Sequence, residues 1–174
     1  MRVLRLIVIA VALLAPGAAR AEFEHEVKAA FLLRFLSYVE WPETAFPGNG
    51  APIVVGVLGA DEVEVALSAM VAGRTAQGRA IEVRRLNGGD PPKNLHMLFV
   101  GSGADVELSR LARQPGLLVV SDVKGSLDHG AMISLVRVGN NVRFQVALEA
   151  AERSGLRISS RMLAVAQLIK PGRP

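Results

Sequence analysis

The sequence of 174 residues contains no cysteine. Disulfide frameworks, thiolate nucleophiles and Cys-ligated zinc or iron–sulfur sites are therefore excluded. Histidine is almost as scarce, and its three residues, His25, His96 and His129, fall in three different predicted elements without metal-ligand spacing. We therefore expect no metal site and no cofactor. His96 opens an apolar run of strand length, so we expect it to be a hydrogen-bonded residue of the core or of a sheet edge.

The chain also lacks a concentrated basic segment. Its formal charge is +4, and three of the positive charges belong to Arg2, Arg5 and Arg20 near the N-terminus. Binding to phosphate backbones requires clustered lysine and arginine, so nucleic acid is not an expected partner. The 51% hydrophobic and 21% charged residues are typical of a folded domain rather than a disordered chain.

The first 21 residues have the organisation of a secretory signal peptide. A short basic start precedes nine apolar residues, 6–14, and an Ala-x-Ala sequence occupies residues 19–21. As a helix, nine residues rise about 14 Å against a hydrocarbon core of roughly 30 Å, which disfavours a membrane anchor. We therefore predict cleavage after Ala21, a mature domain over residues 22–174, and a periplasmic location.

Alternating strand and helix patterns predict a single α/β domain with a mainly parallel sheet flanked by helices. Apolar runs of strand length occupy residues 53–58, 81–86, 96–100 and 117–120, and helical patterns occupy 22–39, 62–71 and 104–113. Near the C-terminus, residues 131–138 and 142–148 flank Gly139-Asn140-Asn141, which predicts an antiparallel hairpin. This hairpin either extends the main sheet or packs across it. A last helix is predicted over residues 161–169, with Ser159 and Ser160 before it.

Aromatic residues are few and concentrated. Six of the eight lie within residues 23–46, and helical spacing places Phe31, Phe35 and Tyr38 on one face, with Trp41 just beyond. Packing in the core is the ordinary role of such a cluster. The alternative is contact with a partner or with a second copy, because aromatic residues with little charge are typical of interface centres, and we expect the protein to form a homodimer. Phe31, Phe35, Tyr38 and Trp41 are therefore the candidate partner-binding residues.

Two short segments have the composition of a small-anion site. Ser102 lies between two glycines directly after a predicted strand, where α/β sheets bind ligands. Ser159, Ser160 and Arg161 combine hydroxyls, backbone N–H groups and a guanidinium at a predicted helix start. The structural alternatives are a glycine-rich turn and a helix N-cap with a surface arginine.

No arrangement of residues points to catalysis. The serines include no Gly-x-Ser-x-Gly nucleophile elbow, and residues 56–59 lack the third glycine of a dinucleotide fingerprint. We therefore expect no enzyme and assign no catalytic residue.

Short motifs recur along the chain in an order and at spacings that together identify a family. They are Lys28-Ala29-Ala30-Phe31-Leu32, Val39-Glu40-Trp41-Pro42, Val55-Gly56-Val57-Leu58-Gly59, His96-Met97-Leu98-Phe99-Val100, Leu118-Val119-Val120-Ser121-Asp122 and Gly155-Leu156-Arg157-Ile158-Ser159-Ser160-Arg161. Through these motifs the sequence resembles the YfiR family of periplasmic proteins over essentially all of residues 22–174. No single motif carries the resemblance alone.

The resemblance implies an exported, non-catalytic α/β protein that restrains an inner-membrane signalling enzyme by binding its periplasmic sensor domain. The implied partner is a diguanylate cyclase, which makes cyclic-di-GMP, or a sensor histidine kinase. An outer-membrane lipoprotein that sequesters the regulator is a further implied partner. Similar proteins carry cysteines, often at the position of Leu95, and this chain has none. Thiol-based redox sensing is therefore excluded here.

A periplasmic sensor of small ligands is the second hypothesis, with Ser102, Ser159, Ser160 and Arg161 lining its site. The predicted mature chain is long enough for one α/β lobe, whereas hinged solute-binding proteins close two lobes around their ligand. Transport is therefore disfavoured, and ligand sensing stays open.

Overall fold

The apolar runs of the sequence form the strands of one eight-stranded sheet in the computed structural model, which describes residues 16–170. The described residues contain ten strands, eight in this sheet and two, β1 and β9, in a separate pair. They are β1 (Val39–Glu40), β2 (Ile53–Leu58), β3 (Thr75–Ala76), β4 (Arg79–Leu86), β5 (Met97–Val100), β6 (Leu118–Ser121), β7 (Ile133–Val138), β8 (Asn141–Ala147), β9 (Arg157–Ile158) and β10 (Leu168–Lys170). The helices are α1 (Pro16–Tyr38), α2 (Asp61–Val71), α3 (Leu108–Leu111), α4 (Leu148–Arg153) and α5 (Ser160–Leu163), with 3₁₀ turns at Glu43–Ala45 and Ser126–His129.

The strand order in the main sheet is β10-β8-β7-β6-β5-β2-β4-β3. Strands β4, β2, β5, β6 and β7 are parallel to their neighbours, while β3 and β8 run antiparallel to β4 and β7. The predicted α/β class is thus confirmed. The β7–β8 hairpin extends the main sheet, because β7 pairs with β6 and β10 then adds to β8. Strands β1 and β9 form a separate antiparallel pair.

Helices cover both faces of the sheet. Ile53, Val55 and Val57 of β2 belong to the larger core cluster, which contains the buried residues of α1 and α2. Val54 and Leu58 belong to a second cluster, on the other face, which contains Leu108 and Leu111 of α3. Neither face of β2 contacts solvent, so all six of its residues are buried. The strand is therefore a continuous apolar run instead of an alternating one.

The predicted C-terminal helix over residues 161–169 was wrong. Helix α5 ends at Leu163, and residues 168–170 form β10 instead. The transition occurs where the Gln167 N–H donates to the Phe144 carbonyl at 2.8 Å, which starts pairing with the open edge of β8. Apolar residues at 162, 163, 165, 168 and 169 fit a helical period, and the unpaired sheet edge overrides that local preference.

Other boundaries also differ from the predictions. Helix α3 spans four residues of the predicted 104–113, and α1 begins at Pro16 instead of residue 22. Asp61 is the first residue of α2, and its carboxylate pairs with Arg85. Residues 1–15 of the predicted signal peptide lie outside the described residues, so cleavage after Ala21 stays a prediction. No helix within residues 16–170 is both long and apolar enough to cross a membrane.

A cluster of partly buried charges fastens α1 to the carboxyl edge of the sheet. The Lys28 ammonium lies 2.7 Å from the Asp122 carboxylate, directly after β6, and 2.9 Å from Glu24 on its own helix. Arg137 of β7 pairs with the second oxygen of Glu24. The Lys28 and Asp122 side chains are only 14% and 10% exposed, so these charges depend on one another for the solvation that they lack.

We predict that Lys28→Met lowers the free energy of unfolding by about 3 kcal/mol, because it leaves the Asp122 carboxylate buried without its cation. The double variant Lys28→Met/Asp122→Asn should recover part of this loss. Arg84→Met is the matched control, since its pair with Glu82 is more than 40% exposed on both sides and such pairs contribute about 0–1 kcal/mol. Urea unfolding measures all three variants. Equal losses for Lys28→Met and Arg84→Met would contradict the prediction.

Candidate protein-binding groove

A groove with an aromatic floor lies between α1, β8 and α5. It encloses a hollow of about 180 Å³. Its lining residues, here called the aromatic groove, are Phe31, Arg34, Phe35, Tyr38, Phe144, Arg161, Met162 and Val165. The four residues from α1 recur at helical spacing and therefore share one helix face. Phe144 comes from β8, and the last three residues come from α5 and the turn that follows it.

Three phenylalanine rings form the floor of the aromatic groove. Phe144 meets Phe31 and Phe35 edge-to-face, with ring centroids 5.6 and 5.3 Å apart, and the two α1 rings are 6.0 Å from each other. Edge-to-face pairs at these distances are the favoured aromatic geometry. Phe35 and Phe144 are buried, whereas Phe31 and Tyr38 are half-buried. The floor is therefore part of the core, and the accessible part of the site is its rim.

The rim combines exposed apolar residues with two cations. Val165 is 68% exposed, and the neighbouring Leu168 and Ile169 of β10 are also exposed. Arg34 and Arg161 are exposed and form no ion pair with any described residue. Ile169 is in register with Val146 on the α1 face of the sheet, whereas Leu168 is in register with Gln145 on the other face, so Val165 and Ile169 are the exposed apolar residues on the groove side. Such clustering is typical of a binding surface rather than of scattered surface apolarity.

Ser159 holds α5 in place beside α1. Its hydroxyl accepts a hydrogen bond from the Arg161 N–H at 3.3 Å, and its own N–H donates to the Tyr38 carbonyl at 2.9 Å. Ser159 is thus the N-cap of α5 and ties the start of this helix to the end of α1. Both contacts help to position Arg161 and Met162 at the groove.

The candidate partner-binding residues divide into two groups. Phe31, Phe35 and Tyr38 meet in the aromatic groove. Trp41 lies elsewhere, because it is buried and its indole N–H donates to the His96 carbonyl at 2.9 Å. It fastens the chain after β1 to the start of β5. Contact of Phe31 and Tyr38 with a partner stays a prediction, and Phe35 and Trp41 have their side chains inside the fold.

The candidate ligand-binding residues do not meet. Ser102 is exposed in the loop at the carboxyl end of β5. Ser159, Ser160 and Arg161 lie beside the C-terminal end of α1, near the amino end of β5. The glycine before Ser102 has a structural explanation, since a Cβ on Gly101 would lie 2.5 Å from the Gly59 carbonyl oxygen. This glycine allows the loops after β2 and β5 to approach each other.

Half of the aromatic groove was missed by the sequence analysis. Helical spacing could have identified Arg34, because Arg34 lies three residues after Phe31 on the same helix face. Phe144, Met162 and Val165 belong to segments more than 100 residues away in the chain, and their local patterns indicate a strand and a helix but no shared surface.

His96 is hydrogen-bonded, as predicted, and of the two predicted positions, core or sheet edge, it occupies the core. Its Nδ1 accepts from the Val54 N–H at 3.0 Å, and the Phe46 ring stacks on it with centroids 4.4 Å apart. Burial lowers the pKa of His96 below its ordinary value of 6.5; the charge of Arg79 lowers it further, and the Ala45 backbone opposes both. Among residues 16–170, no three histidine or carboxylate side chains come close enough together to hold a metal ion.

The described residues thus form a single-domain α/β protein with an apolar, aromatic groove between α1, β8 and α5. The chain belongs to the YfiR/HmsC-like family, whose model matches residues 25–167. This match confirms the family resemblance of the sequence motifs. A search of curated proteins found no match. The family is one of periplasmic, non-catalytic regulators and points to cyclic-di-GMP signalling.

We predict that the protein loses stability as the pH falls from 7.5 to 5.5, partly through His96. The fold favours the neutral ring, so the His96 contribution is complete above the unfolded pKa near 6.5 and decreases as the pH drops below it. One such group contributes a slope of at most about 1.4 kcal/mol per pH unit. The free energy of unfolding, measured by urea titration at each pH, gives the slope.

His96→Asn should flatten this slope, because its side-chain oxygen can still accept from the Val54 N–H but does not titrate. His129→Asn is the control, since His129 is exposed. An unchanged slope in His96→Asn would show that the loss of stability comes from other groups.

Proposed function

We propose that the protein is a non-catalytic periplasmic regulator that binds and restrains the sensor domain of an inner-membrane signalling enzyme, in the first place a diguanylate cyclase. Membership of the YfiR/HmsC-like family supports the class of function. The aromatic groove carries the proposal, because its accessible rim has the composition of a protein interface. A sensor histidine kinase is the alternative output enzyme.

The groove has the properties that interface centres share. Aromatic residues, methionine and arginine are enriched there, and lysine, aspartate and glutamate are depleted. The described lining contains four aromatic residues, one methionine, two arginines and no acidic residue. Because the Phe35 and Phe144 side chains are already buried in the core, they lose little conformational entropy when a partner binds.

Restraint follows from a difference in affinity. A sensor domain that exchanges between active and inactive arrangements is shifted only by a protein that prefers one of them. Moving the population from 1:99 to 99:1 requires about 10⁴-fold tighter binding to the inactive arrangement. The regulator therefore needs a surface that discriminates between two shapes, and a fixed aromatic floor with a defined hollow provides one.

Relief of the restraint cannot act through a thiol of this chain, because the chain has no cysteine. Competition for the same surface is a sufficient mechanism, since a competitor that covers the groove removes the regulator from the sensor domain. An outer-membrane lipoprotein that sequesters the regulator is the proposed competitor.

We predict that Val165→Asn weakens binding to the periplasmic domain of a membrane cyclase or sensor kinase encoded beside the gene by about tenfold. Val165 is 68% exposed, so the change removes apolar contact area in the complex without opening a cavity in the free protein. Isothermal titration calorimetry with the purified protein measures the dissociation constant.

Val65→Asn is the matched control, because Val65 on α2 is 64% exposed and lies outside the groove. This variant should bind as tightly as the unchanged protein. The assignment of the groove fails if both variants bind equally, and the proposed function fails if no neighbouring sensor domain binds the unchanged protein. Phe35 is unsuitable for this test, since a charge at a residue that is 2% exposed would disrupt the core.

A further inference from the structure

We infer that the segment bound by the aromatic groove is acidic and amphipathic: one large apolar side chain enters the hollow, and carboxylates beside it pair with Arg34 and Arg161. This inference rests on the proposed function and adds the chemistry of the partner. Two independent features of the groove, its charge and its shape, lead to it.

The charge of the groove is positive and uncompensated. Arg34 and Arg161 both line the hollow, and neither forms an ion pair with any described side chain. Other arginines nearby are engaged, since Arg137 pairs with Glu24 and Arg157 lies 3.9 Å from Glu40. Two free guanidiniums therefore flank the apolar floor, and guanidinium binds carboxylate with particularly good geometry.

The hollow fits one side chain. A cavity of roughly 150 Å³ with an apolar lining holds a benzene molecule, so 180 Å³ accommodates one phenyl or leucine side chain. The apolar surface does not end there, because Val165 is 68% exposed and the exposed Ile169 of β10 is in register with Val146, on the same face of the sheet as Phe144. An apolar surface that continues beyond the hollow matches an extended or helical partner segment with several apolar residues on one side. A small molecule would leave most of that surface uncovered.

A second copy of the chain is a poorer occupant than an acidic partner. In a symmetric dimer through this face, the same surface meets itself, so the arginines of both copies would be brought together. No acidic side chain lines the hollow to neutralise them. Like charges at an interface oppose association, whereas opposite charges accelerate it. We therefore expect any homodimer to form through another face.

The test uses surface plasmon resonance at 50 and 500 mM NaCl. It measures binding of the protein to the periplasmic sensor domain encoded beside its gene. We expect about tenfold weaker binding at the higher salt concentration, mainly through slower association, because exposed charges act on the encounter and are screened. Arg34→Glu and Arg161→Glu should each weaken binding at 50 mM NaCl about tenfold, and should reduce the salt dependence. Arg34→Lys, which keeps the charge, should lose less than threefold.

Arg110→Glu is the matched control, because Arg110 is exposed on α3, which packs on the opposite face of the sheet. It should bind nearly as tightly as the unchanged protein. Replacing the carboxylates of the partner segment with lysine should restore binding to Arg34→Glu and weaken binding to the unchanged protein.

The outcomes separate the two proposals. If Val165→Asn weakens binding while salt and arginine reversal have no effect, the groove binds the sensor domain but the acidic segment is wrong. If sedimentation of the protein alone shows a dimer that Arg34→Glu strengthens and Val165→Asn weakens, the occupant is a second copy. If no sensor domain binds the unchanged protein, the proposed function and this inference both fail.

Discussion

The need to cover both faces of a parallel sheet determines the rest of this structure. Strands β2, β5 and β6 contain almost only buried residues, so each face must be covered by apolar helix surface. On one face α1 and α2 pack side by side, and on the other face α3 is a much shorter cover. Helix α1 reaches from the carboxyl edge of the sheet, where Lys28 pairs with Asp122, to the amino edge, where Trp41 contacts His96 just after the helix.

The candidate site follows from how α1 is placed. Two apolar stripes run along α1, and only one of them is fully buried. The other stripe is partly exposed and remains accessible at the groove. Phe35 belongs to the core and Phe31 lies at its border with solvent, yet both contact the same ring of Phe144. The aromatic groove is thus continuous with the core, because core side chains form its floor.

The amino edge of the sheet is fastened by packing and hydrogen bonds instead of covalent bonds. The Leu95 side chain fills the space beside Gly56, where an added Cβ would lie 2.7 Å from it. Beside it, His96 joins Val54, Trp41 and Phe46 through one backbone donor, one indole and one stacked ring. The stability of this edge therefore depends on packing and on the protonation state of His96. The chain has no thiol that oxidants could modify.

The sequence by itself determined the class of fold, the hairpin and the family, and it predicted that His96 is a hydrogen-bonded residue of the core or of a sheet edge. These features depend on local periodicity, turn residues and short motifs, and each of these signals is contained in a few consecutive residues. The tertiary structure alone decided that residues 168–170 form a strand, because only the open edge of β8 distinguishes a strand from a helix there. It also decided that Phe31, Phe144 and Arg161 share a groove while Trp41 and Ser102 lie apart from it. Contacts between segments more than 100 residues apart are set by how the elements pack, and no local pattern records them.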